Sequence, residues 1–198
     1  MIPACIYSIK MKKLPFITFI LLYLLSCNAQ EEKYKNCSHS LPELIVANHQ
    51  NASRISILID KSDYKLTVRI DSLVLKEYPV VFGKSENNDK LMQGDKCTPE
   101  GHFKIISKYP HKSWSKFIWL NYPNEESWKK HNEAILLGKI PKDAEIGGEV
   151  GIHGVPNGMD YLIDAGYNWT LGCISLKNRD VDEIYPYITK STSIEIRK

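Results

Sequence analysis

From residue 54 onward the chain alternates apolar and polar positions in short bursts. Residues 54–60 (Arg-Ile-Ser-Ile-Leu-Ile-Asp), 64–70 and 74–82 are rich in branched side chains at partial period-two spacing, separated by polar turns at Lys61-Ser62-Asp63 and Asp71-Ser72. A period of two sends alternate side chains to opposite faces, so these segments predict consecutive β-strands. Briefer apolar stretches at 103–106, 117–120, 150–153 and 194–197 predict further strands. Helical signals are fewer. Residues 125–137 hold Trp128 and Ile135 seven positions apart, close to two helical turns. Residues 179–188 follow Asn178, a candidate N-cap, and carry Asp180, Asp182 and Glu183 near the end where the helix dipole favours acids. Pro186 is expected to end or kink that helix. The pattern predicts a mainly β fold with α as a minor part, and it contains no internal repeat.

The N-terminus follows a different rule. Lys12 and Lys13 precede an apolar run at residues 14–25, whose helical length of about 18 Å falls short of the roughly 30 Å hydrocarbon core of a bilayer. A basic start and a short apolar stretch describe a secretory signal peptide over residues 1–26, with Met11 as an alternative start. Leu24-Leu25-Ser26-Cys27 resembles a bacterial lipobox. Cys27 is then the expected lipidation site and mature N-terminus, placing an exported lipoprotein on a membrane through its lipid anchor, facing the periplasm or cell wall. Residues 27–53, polar except for the stretch 41–47, are expected to form a flexible tether with an r.m.s. reach of about 28 Å. Residues 54–198 remain for one folded domain.

Composition narrows the class. Apolar residues make up 43% and charged residues 25%, which excludes a disordered chain. The first 26 residues hold three lysines and no acid, so the remainder balances 23 basic against 23 acidic side chains. An excess of positive charge for nucleic acid is therefore absent. Export removes Cys5 and lipid occupies Cys27, leaving Cys37, Cys97 and Cys173 in an oxidising compartment, so one thiol stays odd. Cys37 and Cys97 are the expected disulfide pair, with two independent free thiols as the alternative.

The odd thiol sits in Trp169-Thr170-Leu171-Gly172-Cys173-Ile174-Ser175-Leu176. Strand alternation puts Ile174 and Leu176 on one face and Cys173 and Ser175 on the other. Upstream, in Gly147-Gly148-Glu149-Val150-Gly151-Ile152-His153-Gly154, the same rule sets His153 opposite Val150 and Ile152. Taken alone, the histidine reads as structural and the cysteine as a small buried hydrophobe. Together they fit thiol chemistry, which needs a base beside the thiol and backbone N–H groups to hold an oxyanion. His111 and His131 lie in polar stretches and are expected to be solvated. Zinc binding by His102, His153 and Cys173 has no support from ligand spacing. The basic and aromatic residues interleaved over 108–119 suit glycan contact or a half-exposed strand equally.

His153-Gly154, then Thr170-x-Gly172-Cys173-Ile174 with Asn178 and Asp180 following, resembles the active-site motif of the L,D-transpeptidase (YkuD-type) catalytic domain. The segment from Gly94 to Phe103, Gly-Asp-Lys-Cys-Thr-Pro-Glu-Gly-His-Phe, and Tyr122-Pro123-Asn124 are similar to segments in one branch of that family. The resemblance implies a β-sandwich or barrel with one or two short helices. It implies Cys173 as nucleophile, His153 as base and the Gly154 carbonyl as its orienting group, with the amides of Gly172 and Cys173 as oxyanion hole. It further implies substrate contacts from Trp169, Thr170 and Ser175, acyl transfer on peptidoglycan stem peptides by a monomer, and neither metal nor cofactor. Hydrolysis of the same acyl group, or murein binding without catalysis, are the alternatives. Leu171 and Ser175 stand where many relatives carry a second histidine and an arginine or asparagine, and Asn168 stands where an acid often precedes the tryptophan.

Overall fold

A computed structural model describes residues 33–85 and 88–198, and its folded unit spans Tyr34–Lys198. The expected signal peptide over 1–26, the alternative start at Met11 and the lipidation site Cys27 lie outside the described residues.

The first sheet is built from β1 (Ile55–Asp60), β2 (Lys65–Ile70), β3 (Leu73–Pro79), β4 (Gly101–Phe103) and β9 (Ile194–Arg197), in the order β3-β2-β1-β9-β4. The second contains β5 (Ile105–His111), β6 (Ser115–Leu120), β7 (Gly151–His153) and β8 (Ile174–Ser175), in sequence order. Pairing is antiparallel except for β1 with β9 and β7 with β8. The inner faces share one core: Ile57, Ile59 and Leu66 from the first sheet meet Ile118, Ile152 and Ile174 from the second. The strands are those expected from the apolar alternation, in the sandwich that the resemblance implied, with removal of these side chains from water as its main driving force. The expected strand at 103–106 is in fact two, because the chain leaves the first sheet after Phe103 and enters the second at Ile105.

The expected tether is corrected over residues 34–53. This stretch carries helix α1 (Leu41–Ala47), which starts with a reciprocal cap between Ser40 and Glu43 and buries Leu41, Leu44 and Ile45. Burial of such aliphatic side chains contributes about 2 kcal/mol each, enough to dock a short amphipathic helix whose flanks are polar. Asn36 donates to the Leu75 carbonyl at 2.6 Å, and Glu77 N–H donates to the Lys35 carbonyl at 3.0 Å, fixing the preceding loop along β3. That placement also explains why the expected Cys37–Cys97 disulfide does not form. Cys37 is exposed in this loop, whereas Cys97 is buried in the turn around Asp95.

Helix α2 (Glu125–Leu136) matches the expected span, but its buried face is Ser127, His131 and Ala134 rather than Trp128 and Ile135. His131, expected in solvent, is 3% exposed and bonds the Leu91 carbonyl through Nδ1 at 2.6 Å. A short α3 (Tyr161–Asp164) precedes the cysteine loop. Helix α4 (Asn178–Ile184) is shorter than expected, ending where a 3-10 turn takes in Pro186. Its N-cap position is Lys177, not Asn178.

Candidate active site

The register of the second sheet creates the site. Tyr109 pairs with Phe117, Phe117 with His153 and His153 with Ser175, forming one row across β5, β6, β7 and β8. The next row runs from Trp119 to Gly151, and Cys173 follows in line just before β8. Ile118, Ile152 and Ile174 occupy the opposite, core-facing side. The alternation read from the sequence therefore places thiol and imidazole on the same face. A cleft of about 1010 Å³ covers this face, lined by His153, Cys173, Gly172, Thr170 and Trp169 among others. Gly151 is required here, because a Cβ would lie 2.5 Å from the Phe117 ring.

His153 is only 1% exposed. Trp114 stacks on it at 4.4 Å, Phe117 at 5.8 Å, and Trp169 presents its edge at 5.6 Å. These apolar walls disfavour the imidazolium, and burial pulls the pKa down to about 4, with His111 adding to the effect and the Gly154 carbonyl opposing it. Nδ1 lies 2.6 Å from the Gly154 carbonyl oxygen. A carbonyl can only accept, so Nδ1 carries the hydrogen and Nε2 keeps its lone pair.

The Cys173 thiol donates to the Glu149 carbonyl at 3.5 Å. Burial pushes its pKa up to about 11, opposed by the Gly151 N–H and Lys90 and reinforced by Glu149. In the substrate-free site both groups are consequently neutral. Glu149 adopts a left-handed backbone, φ 57°, between Gly148 and Val150. Such conformations cost free energy in a non-glycine residue and concentrate at functional sites; here it sets the carbonyl that holds the thiol hydrogen.

The loop before Cys173 is packed backbone to backbone. Gly172 has φ 141° and would place a Cβ 2.8 Å from the Cys97 carbonyl oxygen. Its N–H donates to Thr170 Oγ1 at 3.1 Å, and that hydroxyl donates to the Cys173 carbonyl at 2.8 Å. Two expectations change as a result. Thr170, 4% exposed, braces the cysteine turn through both bonds, and the Gly172 amide, expected in the oxyanion hole, is already engaged by the Thr170 hydroxyl. Ser175 is likewise corrected from substrate contact to interior residue: it is fully buried, and its hydroxyl donates to the Gly154 carbonyl at 3.2 Å. Trp169 stays at the cleft wall, its Nε1 buried with no hydrogen-bond partner among the described residues. Leu171 is 71% exposed at the mouth.

The segment from Gly94 to Gly101 supports this loop from behind. Asp95 accepts from the amides of Leu91, Met92 and Cys97 and from Lys90. Burial raises its pKa, but those donors outweigh it and hold the carboxyl below the usual range. Thr98 accepts the Gly83 N–H, and Glu100 pairs with buried Lys61 at 2.8 Å. Asn168 accepts from Phe82 N–H and donates to the Tyr64 hydroxyl, so the amide serves as donor and acceptor at once. Sequence reasoning missed the aromatic wall of Trp114 and Phe117, and it placed His111 in solvent, although that ring stacks on Trp114 at 4.4 Å. The signal was present in the interleaved segment 108–119. His102 of the zinc alternative is on β4 and lines a different cavity of about 870 Å³, with Arg69 and Lys104.

No curated protein matches the chain. Among solved structures, Bd1075 of Bdellovibrio bacteriovorus is 22% identical, covering 73% of this chain and 48% of its own, with a TM-score of 0.50. The helical cell shape determining protein Pgp2 from Campylobacter jejuni is also 22% identical, covering 73% of this chain and 47% of its own at a TM-score of 0.50. These two share the fold. An L,D-transpeptidase from Mycobacterium smegmatis is 17% identical, covering 73% and 59% with a TM-score of 0.48. The chain spans about half the length of these solved proteins. Residues 54–196, most of the sequence and both motifs of the cleft, match the L,D-transpeptidase catalytic domain YkuD. The chain belongs to the YkuD family of L,D-transpeptidase catalytic domains.

Proposed function

We propose that this domain transfers the acyl group of a peptidoglycan stem peptide to an amine through a thioester on Cys173. The observation that carries this reading is the Cys173 thiol and the Nδ1-anchored His153 imidazole lining one cleft face. On attack, the thiol turns from the Glu149 carbonyl toward His153. Nε2 takes its proton while sulfur bonds the peptide carbonyl carbon. Among the described residues no side chain accepts a hydrogen bond from the Cys173 N–H, which can donate to the resulting oxyanion. Collapse breaks the peptide C–N bond, and the imidazolium gives its proton to the departing amine. An incoming amine then attacks the thioester, His153 again takes the proton, and the thiol is restored. Desolvation favours this order, because charge develops only after substrate has filled the cleft.

The export signal at 1–26 and lipidation of Cys27 belong to this proposal, with residues 34–198 as the catalytic body. With 34–53 folded, residues 28–33 link lipid to domain and limit the separation to about 20 Å when fully extended.

The test is mass spectrometry of the soluble domain with tetrapeptide muropeptides, with and without an added D-amino acid. The expected result is an acyl adduct on Cys173 followed by dimer or exchanged product. A product bearing only a new carboxyl group, with no amine incorporated, assigns hydrolysis and overturns transfer. No adduct and no product overturns catalysis.

A further inference from the structure

We infer that Ser175 and Asn178 are positioning residues that fix the tautomer and ring orientation of His153 by clamping the peptide unit between Gly154 and Val155. The inference rests on the proposed roles of Cys173 and His153. The peptide unit in question is planar and rigid. Its carbonyl oxygen accepts both His153 Nδ1 at 2.6 Å and Ser175 Oγ at 3.2 Å. Its amide, the N–H of Val155, donates to Asn178 Oδ1 at 3.1 Å. Both ends are therefore tied to side chains from the segment that follows the cysteine.

The clamp is itself held. Ser175 N–H donates to the Val81 carbonyl at 2.9 Å, and Val81 N–H donates to the Ser175 carbonyl at 3.0 Å. Gly154 N–H is bonded to the Trp114 carbonyl at 3.0 Å, and a Cβ at Gly154 would lie 2.0 Å from Asn178 Oδ1. The glycine lets the asparagine approach, and the asparagine fixes the plane. A carbonyl oxygen has two lone pairs; Ser175 occupies one, so the carbonyl cannot rotate away without breaking that bond as well. The position two residues after the cysteine thus acts beneath the histidine, where Ser175 is fully buried, instead of reaching substrate. Without the clamp, the imidazole is free to shift its hydrogen to Nε2, the nitrogen that must accept the thiol proton.

Ser175→Ala, Asn178→Ala and the double variant test this, with Asn178→Asp retaining an acceptor oxygen. Long-range proton–nitrogen NMR of the His153 ring reads the tautomer without substrate. The wild-type ring is expected in the Nδ1–H form alone, with mixed forms in the double variant and return to Nδ1–H in Asn178→Asp. Loss of one such hydrogen bond corresponds to roughly a fivefold fall in kcat, expected at unchanged KM and a normal circular dichroism spectrum. If Ser175→Ala fails to fold, the Asn178→Ala and Asn178→Asp pair decides. An unchanged Nδ1–H ring in every folded variant overturns the clamp. Turnover that persists in Cys173→Ala instead overturns the proposed reaction and leaves the NMR result standing.

Discussion

Glu183 and His153 are polar groups set into the same sandwich, one ringed by donors and the other by aromatic carbon. Glu183 on α4 accepts the Leu41 N–H at 2.7 Å, the Lys76 ammonium at 2.8 Å and the Tyr78 hydroxyl at 2.7 Å. Three elements, α1, β3 and α4, converge on one carboxylate, and Tyr78 responds with a pKa raised by burial and then by Glu183. Among the described residues the His153 ring has a single hydrogen-bond partner, the Gly154 carbonyl, and sits against Trp114 and Phe117. A buried ion is tolerable where hydrogen-bonding or oppositely charged partners surround it, donors for an anion and acceptors for a cation, whereas a buried base walled by apolar rings becomes neutral. The first arrangement holds the N-terminal helix in place, and the second, on the proposed mechanism, keeps a proton acceptor ready.

The largest effect that separates these regions is on turnover. Cys173→Ala and His153→Ala are each expected to lower the rate by roughly 100-fold to 10,000-fold or more, with unfolding midpoints close to wild type. The double variant should be no slower than the slower single, because the residues act as a unit. Steady-state rates beside denaturation curves check this. A large loss of stability in Cys173→Ala would show that the cleft residue is also structural and blur the distinction.

Glu183→Ala attacks the other region. It removes the counter-ion of Lys76, whose side chain is 7% exposed and keeps only the His39 carbonyl and the Tyr78 ring as partners among the described residues, and removing one partner of such a pair costs about 3 kcal/mol. Urea unfolding should show that loss, with proteolysis entering residues 34–53 first. Turnover per folded molecule should remain near wild type. Equal damage to activity and stability would join the two regions into one cooperative network.

Legibility from sequence divided along a similar line. The alternation of Ile152 and His153, and of Ile174 and Ser175, correctly separated core face from cleft face, because strand periodicity is local. Helix α1 was hidden because only Leu41, Leu44 and Ile45 are buried, and their main anchor, Glu183, lies 142 positions away from Leu41. The same non-locality hid Ser175: its face was legible, but its bond to Gly154 exists only once β7 and β8 pair. Asn178 looked like a helix cap because Asp180, Asp182 and Glu183 follow it, yet its oxygen is taken by Val155. The Gly94 to Gly101 motif was recognisable as a string, while the tasks of Asp95, Thr98 and Glu100 required Lys90, Gly83 and Lys61 to be placed around it.

Titration sharpens the contrast on a smaller scale. With His153 lowered to about 4 and Cys173 raised to about 11, the competent neutral pair persists between those limits. The acid limb of kcat/KM belongs to His153 protonation near pH 4 and the alkaline limb to thiol ionisation near pH 11. Iodoacetamide labelling of Cys173, which follows the thiolate, should rise about tenfold per pH unit from about pH 5 to pH 9. An inflection near neutrality, or fast labelling at about pH 6, would indicate a thiolate–imidazolium pair and reverse the neutral assignment.

The smallest expected effect tests whether a charge on α4 can be present without the donors that Glu183 enjoys. Asp180 is 8% exposed, and burial raises its pKa to about 6, with Arg179, Lys177 and Lys76 opposing the shift and Glu183 adding to it. Its folded pKa stands above the ordinary carboxylate value, so the protonated form is the one favoured by folding. That contribution is fully present below about pH 4 and is lost as pH rises through about 6. Asp180→Asn removes the charged form altogether. It should stabilise the domain by about 1–2 kcal/mol at pH 8 and by almost nothing at pH 3, measured as the difference between urea midpoints at the two pH values. Equal midpoint shifts at both would mean that the ionised carboxylate carries no penalty on this helix, and the rule drawn from Glu183 and His153 would then fail at Asp180.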